Sequence, residues 1–183
     1  LAQIIQDHSR RMNLVIENVL QLSRRRQAEP QLLDLKYWLH RFASEFRQGL
    51  GPQQTLHLDT VGSSLQTRMD PNQLTQVLTN LVQNGLRYSG QQNPRAQVWL
   101  RLFRDEASDL PIVEVLDDGP GIAAEQLQNI FEPFFTTESK GTGLGLYISR
   151  ELCESNQARL DYRERPEGGS CFRIVFAHPR KLS

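Results

Sequence analysis

The sequence predicts an α+β fold, a two-layer α/β sandwich of helices on a mixed sheet, preceded by one long helix. Three observations carry this expectation. Helical hydrophobic periodicity runs unbroken through the first 27 residues. Beyond it, strand-like alternation and helical stripes succeed one another without a regular βα repeat, unlike a doubly wound sheet. Two glycine-rich segments, near 119–121 and 141–145, then interrupt the second half.

Taken in order, Leu1, Ile5, His8, Met12, Val15, Val19 and Leu22 recur in alternating steps of four and three, a heptad seam, and Ile4, Ile16 and Leu20 widen it. Such a seam suits a helical bundle. A helix of this length, about 40 Å at 1.5 Å per residue, cannot bury its stripe alone, so self-association is expected. Arg24-Arg25-Arg26 suits the negative end of a helix dipole, and Pro30 discourages continuation. The expected organisation is therefore a helical segment over 1–27, a linker and first strand over 28–34, and a main domain over 35–183.

Within the main domain a helix is predicted through Trp38, Phe42 and Phe46, ending near Gly49 to Pro52. Alternation predicts strands at 55–59 and 65–69. Asp70-Pro71 then opens a helix, Asp as N-cap and Pro at the first position. Leu74, Val77, Leu78, Leu81 and Val82 form its apolar face, and Ser89-Gly90 ends it. Strands follow at 97–103 and 112–116, then a glycine-rich turn and a short helix, a second glycine-rich segment and a helix over 144–155. A hairpin of 158–163 and 170–176, turned at 166–169, closes the chain.

Composition narrows the function. Hydrophobic residues make up 38% and charged residues 23%, enough for a packed core and against wholesale disorder. Lys+Arg and Asp+Glu both number 21, so no basic excess points to nucleic acid or to an acidic membrane surface. Phosphate binding, if present, must come from a local site. Cys153 and Cys171 lack metal-site spacing and read as reduced residues. No apolar run approaches the ~20 residues of a membrane span.

Four segments carry chemistry. In Asn80-Leu-Val-Gln-Asn84-Gly-Leu-Arg87-Tyr88, the residues Asn80, Asn84 and Arg87 share a helix face opposite the apolar stripe. Asn offers an amide oxygen to a hard cation and Arg a forked donor to phosphate, although the same face could simply be solvated. In Val113 to Ile122 an apolar strand runs into Asp117-Asp118-Gly119-Pro120-Gly121; an Asp there can accept from an exocyclic amine, but Asp-Gly-Pro-Gly is also an ordinary turn. Phe131-Glu-Pro-Phe134-Phe135-Thr-Thr could pack in the core or pin the base of a mobile loop. Gly141-Thr142-Gly143-Leu144-Gly145 stands before a helix, where free N–H groups and the dipole favour phosphate, with Lys140 beside it. It is neither a Walker loop nor a dinucleotide fingerprint.

The order of the four segments between residues 80 and 146 resembles the histidine-kinase branch of the GHKL ATPase superfamily, which includes gyrase, Hsp90 and MutL. They look like that family's N box, first glycine box, F box and second glycine box. The wording from Phe131 to Thr137, the short lid and the ending from Gly168 are similar to the NtrB-like group of these kinases. The resemblance covers residues 31–180 and implies the Bergerat ATP-binding fold, with residues 1–27 as the second helix of a dimerisation and histidine-phosphotransfer hairpin.

It also implies roles. Asn84 would bind Mg²⁺ bridging the phosphates of ATP, assisted by Asn80, and Arg87 would contact phosphate. Tyr88 would lie along the adenine, whose amine Asp117 would bond. Gly119, Gly121 and Ile122 would shape the pocket. Lys140, Gly141, Thr142, Gly143, Leu144 and Gly145 would meet the phosphates, with Thr136 to Lys140 as the lid and Ser170 beside the nucleotide. Gly85 stands where the family commonly has Ala, a change expected only to loosen the helix.

Hydrolytic members of the superfamily place Glu four residues before the metal-binding Asn; here Asn80 occupies that position and cannot take a proton. The implied activity is therefore phosphoryl transfer from ATP to histidine. Of His8, His40, His57 and His178 none matches the family's exposed acceptor, so this chain alone is expected not to autophosphorylate. The implied partners are a response regulator and a second copy through the hairpin, with no nucleic acid. Membrane contact is expected only through other parts of an inner-membrane-anchored bacterial kinase whose cytoplasmic part this would be. The alternative is a nucleotide-binding or interaction module without phosphotransfer.

Overall fold

The computed structural model describes residues 1–23, 27–138 and 141–180. Helix α1 spans Ala2–Ser23. Its seam residues Ile4, Ile5, Met12, Ile16 and Val19 are exposed, so nothing among the described residues covers them. The side chains of Leu20 and Leu22, and the basic run Arg24 to Arg26, lie outside the described residues.

The main domain follows the predicted element order. Strand β1 (Gln31–Asp34) leads into α2 (Leu35–Gln48), then β2 (Gln54–Thr60), β3 (Gln66–Met69) and α3 (Pro71–Gln92). Strands β4 (Ala96–Arg104) and β5 (Pro111–Asp117) come next, then α4 (Gly145–Ser155) and the hairpin β6 (Arg159–Glu164) and β7 (Ser170–Val175). Strands β1 and β3 form a small antiparallel pair. The main sheet has the order β2-β4-β5-β7-β6, parallel only between β2 and β4. Helices cover one face, which is the expected two-layer sandwich.

Register assigns the faces. Val98, Leu100 and Leu102 on β4 lie beside Asp117, Val115 and Val113 on β5, which in turn oppose Ser170, Phe172 and Ile174 on β7. These apolar side chains meet Leu74, Val77, Leu78, Leu81 and Val82 of α3 in one core. Asp117 and Ser170 therefore belong to the helix-facing side. Among the described residues no helix covers the other face. There Arg173 bonds Glu114 and stands over the Phe103 ring at 5.7 Å, and Arg165 stands over Trp99 at 5.6 Å. This arginine–aromatic layer covers the strands beneath, so every residue of β5 is buried. Both cysteines are buried and free, and burial pushes their thiols up to about 12.

Two expectations change. Helix α3 continues past Ser89-Gly90 to Gln92, because Asn93 terminates it instead, its N–H and Nδ2 both donating to Ser89 O at 3.0 and 3.1 Å. The short helix expected after the first glycine segment is a series of turns: the N–H groups of Gln126, Asn129 and Glu132 bond carbonyls three residues back. Ile130 is buried there while Leu127 stays exposed, so the segment has no continuous apolar stripe to stabilise α-helix.

A buried polar network ties α3 to α4. Asp70 caps α3 by accepting from the Asn72 and Gln73 N–H groups, as predicted, and its other oxygen accepts from the Glu29 N–H at 3.0 Å. Asn156, just past α4, accepts from the Asp70 N–H at 2.9 Å and donates to Gln73 Oε1 at 2.7 Å and Leu152 O at 2.8 Å. Unpaired buried groups are costly, so Asn156→Ala should lower the unfolding free energy by about 2–3 kcal/mol in a urea titration. A loss within a few tenths would show that water replaces the amide without penalty.

Candidate functional site

A cleft of about 210 Å³ opens between α3, the turns after β5 and the start of α4. From α3 it is lined by Asn80, Gln83, Asn84, Arg87 and Tyr88, one face at helical spacing. Gly121, Ile122, Gln126 and Ile130 form a second wall, and Phe135 to Thr137, Gly141 to Gly143, Gly145 and Leu146 form a third. The residues that the sequence marks in four separate segments thus converge on one space.

Close backbone approach sets the geometry. A Cβ on Gly85 would stand 2.8 Å from Val98 Cγ2 and 3.5 Å from Asp117 Cβ. Gly85 therefore does more than loosen the helix; it lets α3 lie directly on β4 and β5. A Cβ on Gly119 would stand 2.8 Å from the Tyr88 carbonyl group, so the turn also rests on α3. Gly143 has φ +70°, and a Cβ there would stand 2.4 Å from the Phe134 carbonyl carbon. The second glycine segment is laid on the aromatic one in this way.

The paired aspartates part company. Asp118 accepts from the buried Ser89 hydroxyl, and its carbonyl accepts from Asn93 Nδ2 at 3.2 Å, stitching the turn to the end of α3. Asp117 is buried on the helix-facing side at the end of β5, where its Oδ1 accepts from the Gly119 N–H at 2.9 Å. Burial raises its carboxyl to about 6, against the lowering effect of the Gly119 and Ser170 N–H groups.

The phosphate-type features lie at the other end. Helix α4 begins at Gly145, and its N-cap Leu144 offers no side-chain hydrogen bond, which leaves the dipole end for an anion. Arg87 Nη2 donates to Asn84 Oδ1 at 2.5 Å, and Arg87 Nε lies 2.9 Å from Glu138 Oε2. Asn80 Nδ2 donates to the Ser149 hydroxyl at 3.4 Å, which joins α3 to α4.

Not every expected residue lines the space. Asp117, Gly119 and Ser170 lie beneath it, Ser170 buried directly opposite Asp117 in the register. Leu144 is fully buried as a helix-start anchor. Lys140 lies outside the described residues. The three aromatics have separate fates: Phe131 packs edge-on to Phe172 at 6.3 Å, Phe135 lines the cleft, and Phe134 is exposed with a left-handed φ of 66°. Sequence reasoning assigned nothing to Gln83 or Gln126, and gave Glu138 only its place in the expected lid from Thr136 to Lys140. Gln83 precedes Asn84 within the first segment, but Glu138 is identified only by its contact with Arg87.

Among the described residues no histidine lines the cleft. His57 stacks on Trp99 at 5.1 Å, His40 bonds Thr60 Oγ1 at 3.2 Å, and His178 Nδ1 accepts from the Arg180 N–H. Among the described lining residues there is also no carboxylate, and among the described residues no cluster of His, Cys, Asp and Glu could hold a metal ion by itself. A hard cation would have to be held largely by a ligand's own phosphates, as Mg²⁺ commonly is, with amide oxygen in place of the usual carboxylate. The amide-rich face of α3 fits that mode.

Helices packed on one face of a mixed sheet, with glycine-built turns between α3 and the start of α4, define a fold of the Bergerat type. Residues 69–180 match the family described as histidine kinase-, DNA gyrase B-, and HSP90-like ATPases, and the chain belongs to that family.

Within it, the whole chain is 72% identical to the sensor protein kinase PilS of Pseudomonas aeruginosa, and spans 34% of that protein's length. It is 34% identical to the sensory histidine kinase/phosphatase NtrB of Rhodobacter capsulatus, matching 95% of this chain and 51% of that one. The histidine kinase ThkA, solved in complex with the response regulator protein TrrA, superposes with a TM-score of 0.76 at 25% identity, covering 98% of this chain and 51% of that one. The domain is thus of the catalytic type carried by bacterial sensor histidine kinases.

The Asp117 environment makes a measurable statement. Its carboxyl titrates at about 6 in the folded chain against 3.8 when unperturbed, so in that window the folded state binds more protons than the unfolded state. Stability from this group falls as pH rises through the window and is constant above it. Urea titrations should show the native chain losing ground to Asp117→Asn between pH 3.8 and about 6. A difference that stays flat with pH would mean that the carboxyl is solvated.

Proposed function

We propose that this chain is the ATP-binding catalytic part of a sensor histidine kinase that passes the γ-phosphoryl group of Mg-ATP to a histidine on a dimerisation hairpin, for relay to a response regulator. The carrying observation is the cleft's chemistry: Asn80, Asn84 and Arg87 on one face of α3 meet the glycine-built start of α4, with an amide at position 80, where the hydrolytic relatives' water-activating carboxylate would stand. Water attack needs a base; a neutral imidazole already presents its lone pair, so positioning and charge neutralisation suffice.

In this reading Asp117 accepts from the adenine amine, with Gly119 and Gly121 admitting the ring, Ile122 against it and Tyr88 along its edge. Arg87 and the N–H groups of Gly141 to Gly145 hold the phosphates, and Lys140 and Thr142 add to that end. Asn84, with Asn80 nearby, supplies amide oxygen to Mg²⁺. When bound, the ion would neutralise charge on the transferring phosphoryl group. Ser170, opposite Asp117 on the neighbouring strand, stands beside the nucleotide.

Residues 1–27 are assigned to the second hairpin helix, 28–34 to the linker and first strand, and 35–183 to the catalytic domain. The exposed seam of α1 supports the pairing of two copies. The response regulator in the ThkA complex supports that partner class. The parent protein is read as anchored in the inner membrane with this part in the cytoplasm; among the described residues no helix is long and apolar enough to cross a membrane.

Calorimetric titration of a non-hydrolysable ATP analogue tests the reading. Saturable binding is expected, weakened about tenfold or more, roughly 1.4 kcal/mol, by removal of Mg²⁺ or by Asn84→Ala. Transfer of label from ATP should then require an added hairpin bearing its histidine. A folded chain that binds no analogue would instead be an interaction module.

A further inference from the structure

Glu138 has no role of its own above beyond its place in the expected lid, yet both of its carboxylate oxygens are engaged on α3. Oε2 lies 2.9 Å from Arg87 Nε, and Oε1 accepts from Gln91 Nε2 at 3.0 Å. Its backbone is held by Thr136, whose hydroxyl accepts from the Glu138 N–H at 3.1 Å. The same Arg87 donates through Nη2 to Asn84 Oδ1. The guanidinium thus spends one donor on a carboxylate and another on the amide oxygen assigned to Mg²⁺.

A guanidinium recognises carboxylate and phosphate with the same forked geometry, so the two compete for one donor set. We infer that Glu138 is an internal competitor for the nucleotide phosphates: it engages Arg87 and must give way before a phosphate can take that guanidinium. This rests on the ATP reading and goes beyond it, because it assigns Glu138 control of affinity by ligand charge. Glu138 acts through Arg87 and is a positioning residue. Gln91, one helical turn beyond Arg87, holds the competitor in place. The pair is half exposed on the arginine side, so the penalty is modest.

Titrating the native chain, Glu138→Gln and Gln91→Ala with adenosine, Mg-ADP and a Mg-bound non-hydrolysable ATP analogue tests this. Glu138→Gln should tighten both phosphate-bearing ligands by about two- to five-fold and leave adenosine unchanged. Gln91→Ala should act in the same direction by less. Unchanged or weaker binding of both nucleotides in Glu138→Gln overturns the inference. So does equal tightening of adenosine, which would point to general opening of the cleft. A native chain that binds none of the three removes the ATP reading, and the inference with it.

Discussion

The close seating of α3 on the sheet is the constraint on which the site depends. At Gly85 the helix approaches so near to β4 and β5 that an added Cβ would stand 2.8 Å from the Val98 methyl and 3.5 Å from Asp117 Cβ. At Gly119 the turn comes back against the Tyr88 backbone. These contacts bring the buried Asp117 carboxyl beneath a helix face that carries Asn80, Asn84, Arg87 and Tyr88. Were α3 lifted by the width of a methyl group, the two ends of the cleft would lose their registration.

Both ends of the helix are secured by polar side chains that play no direct part in the chemistry. Asp70 serves the α3 N-terminus, the Asn156 amide and the backbone of Glu29 together. Ser89 and Asn93 join the other end to Asp118 and β4, the Ser89 hydroxyl accepting from the Gln97 N–H at 2.8 Å. Since buried polar groups are stable only when their partners are present, the helix has little freedom to slide. Asn156 lies just beyond α4, so the helix start facing the phosphate end is tied at its far end to the same network.

Electrostatically the chain is neutral overall, and the site obtains its polarity locally. Arg101, Arg165 and Arg173 are spent on the outer sheet face against Asp59, Glu114, Glu167 and aromatic rings. Among the described residues that leaves the cleft to Arg87, the helix start and backbone N–H groups. On the ATP reading the ligand brings its own cation, and the amide face of α3 meets it.

How much of this was legible in the sequence follows from the range of each interaction. The Asp70-Pro71 cap, the α3 stripe, the closing hairpin and the glycine-rich start of α4 are set by neighbours within a few residues, and their boundaries held to within a residue or two. The short helix after Gly121 failed for the same local reason: its apolar residues are too few to form a stripe. The four segments could be matched as a set because each keeps its spacing along the chain. Which of two adjacent aspartates is buried was decided by sheet register and by Ser89, 29 residues from Asp118. That Gly85 seats the helix and that Glu138 reaches Arg87 are contacts across elements, and local pattern carries no information on them. The sequence by itself determined the elements, the class and the candidate residues. Only the tertiary structure decided how those residues meet, because burial, backbone approach and competition for a guanidinium are properties of folded distance.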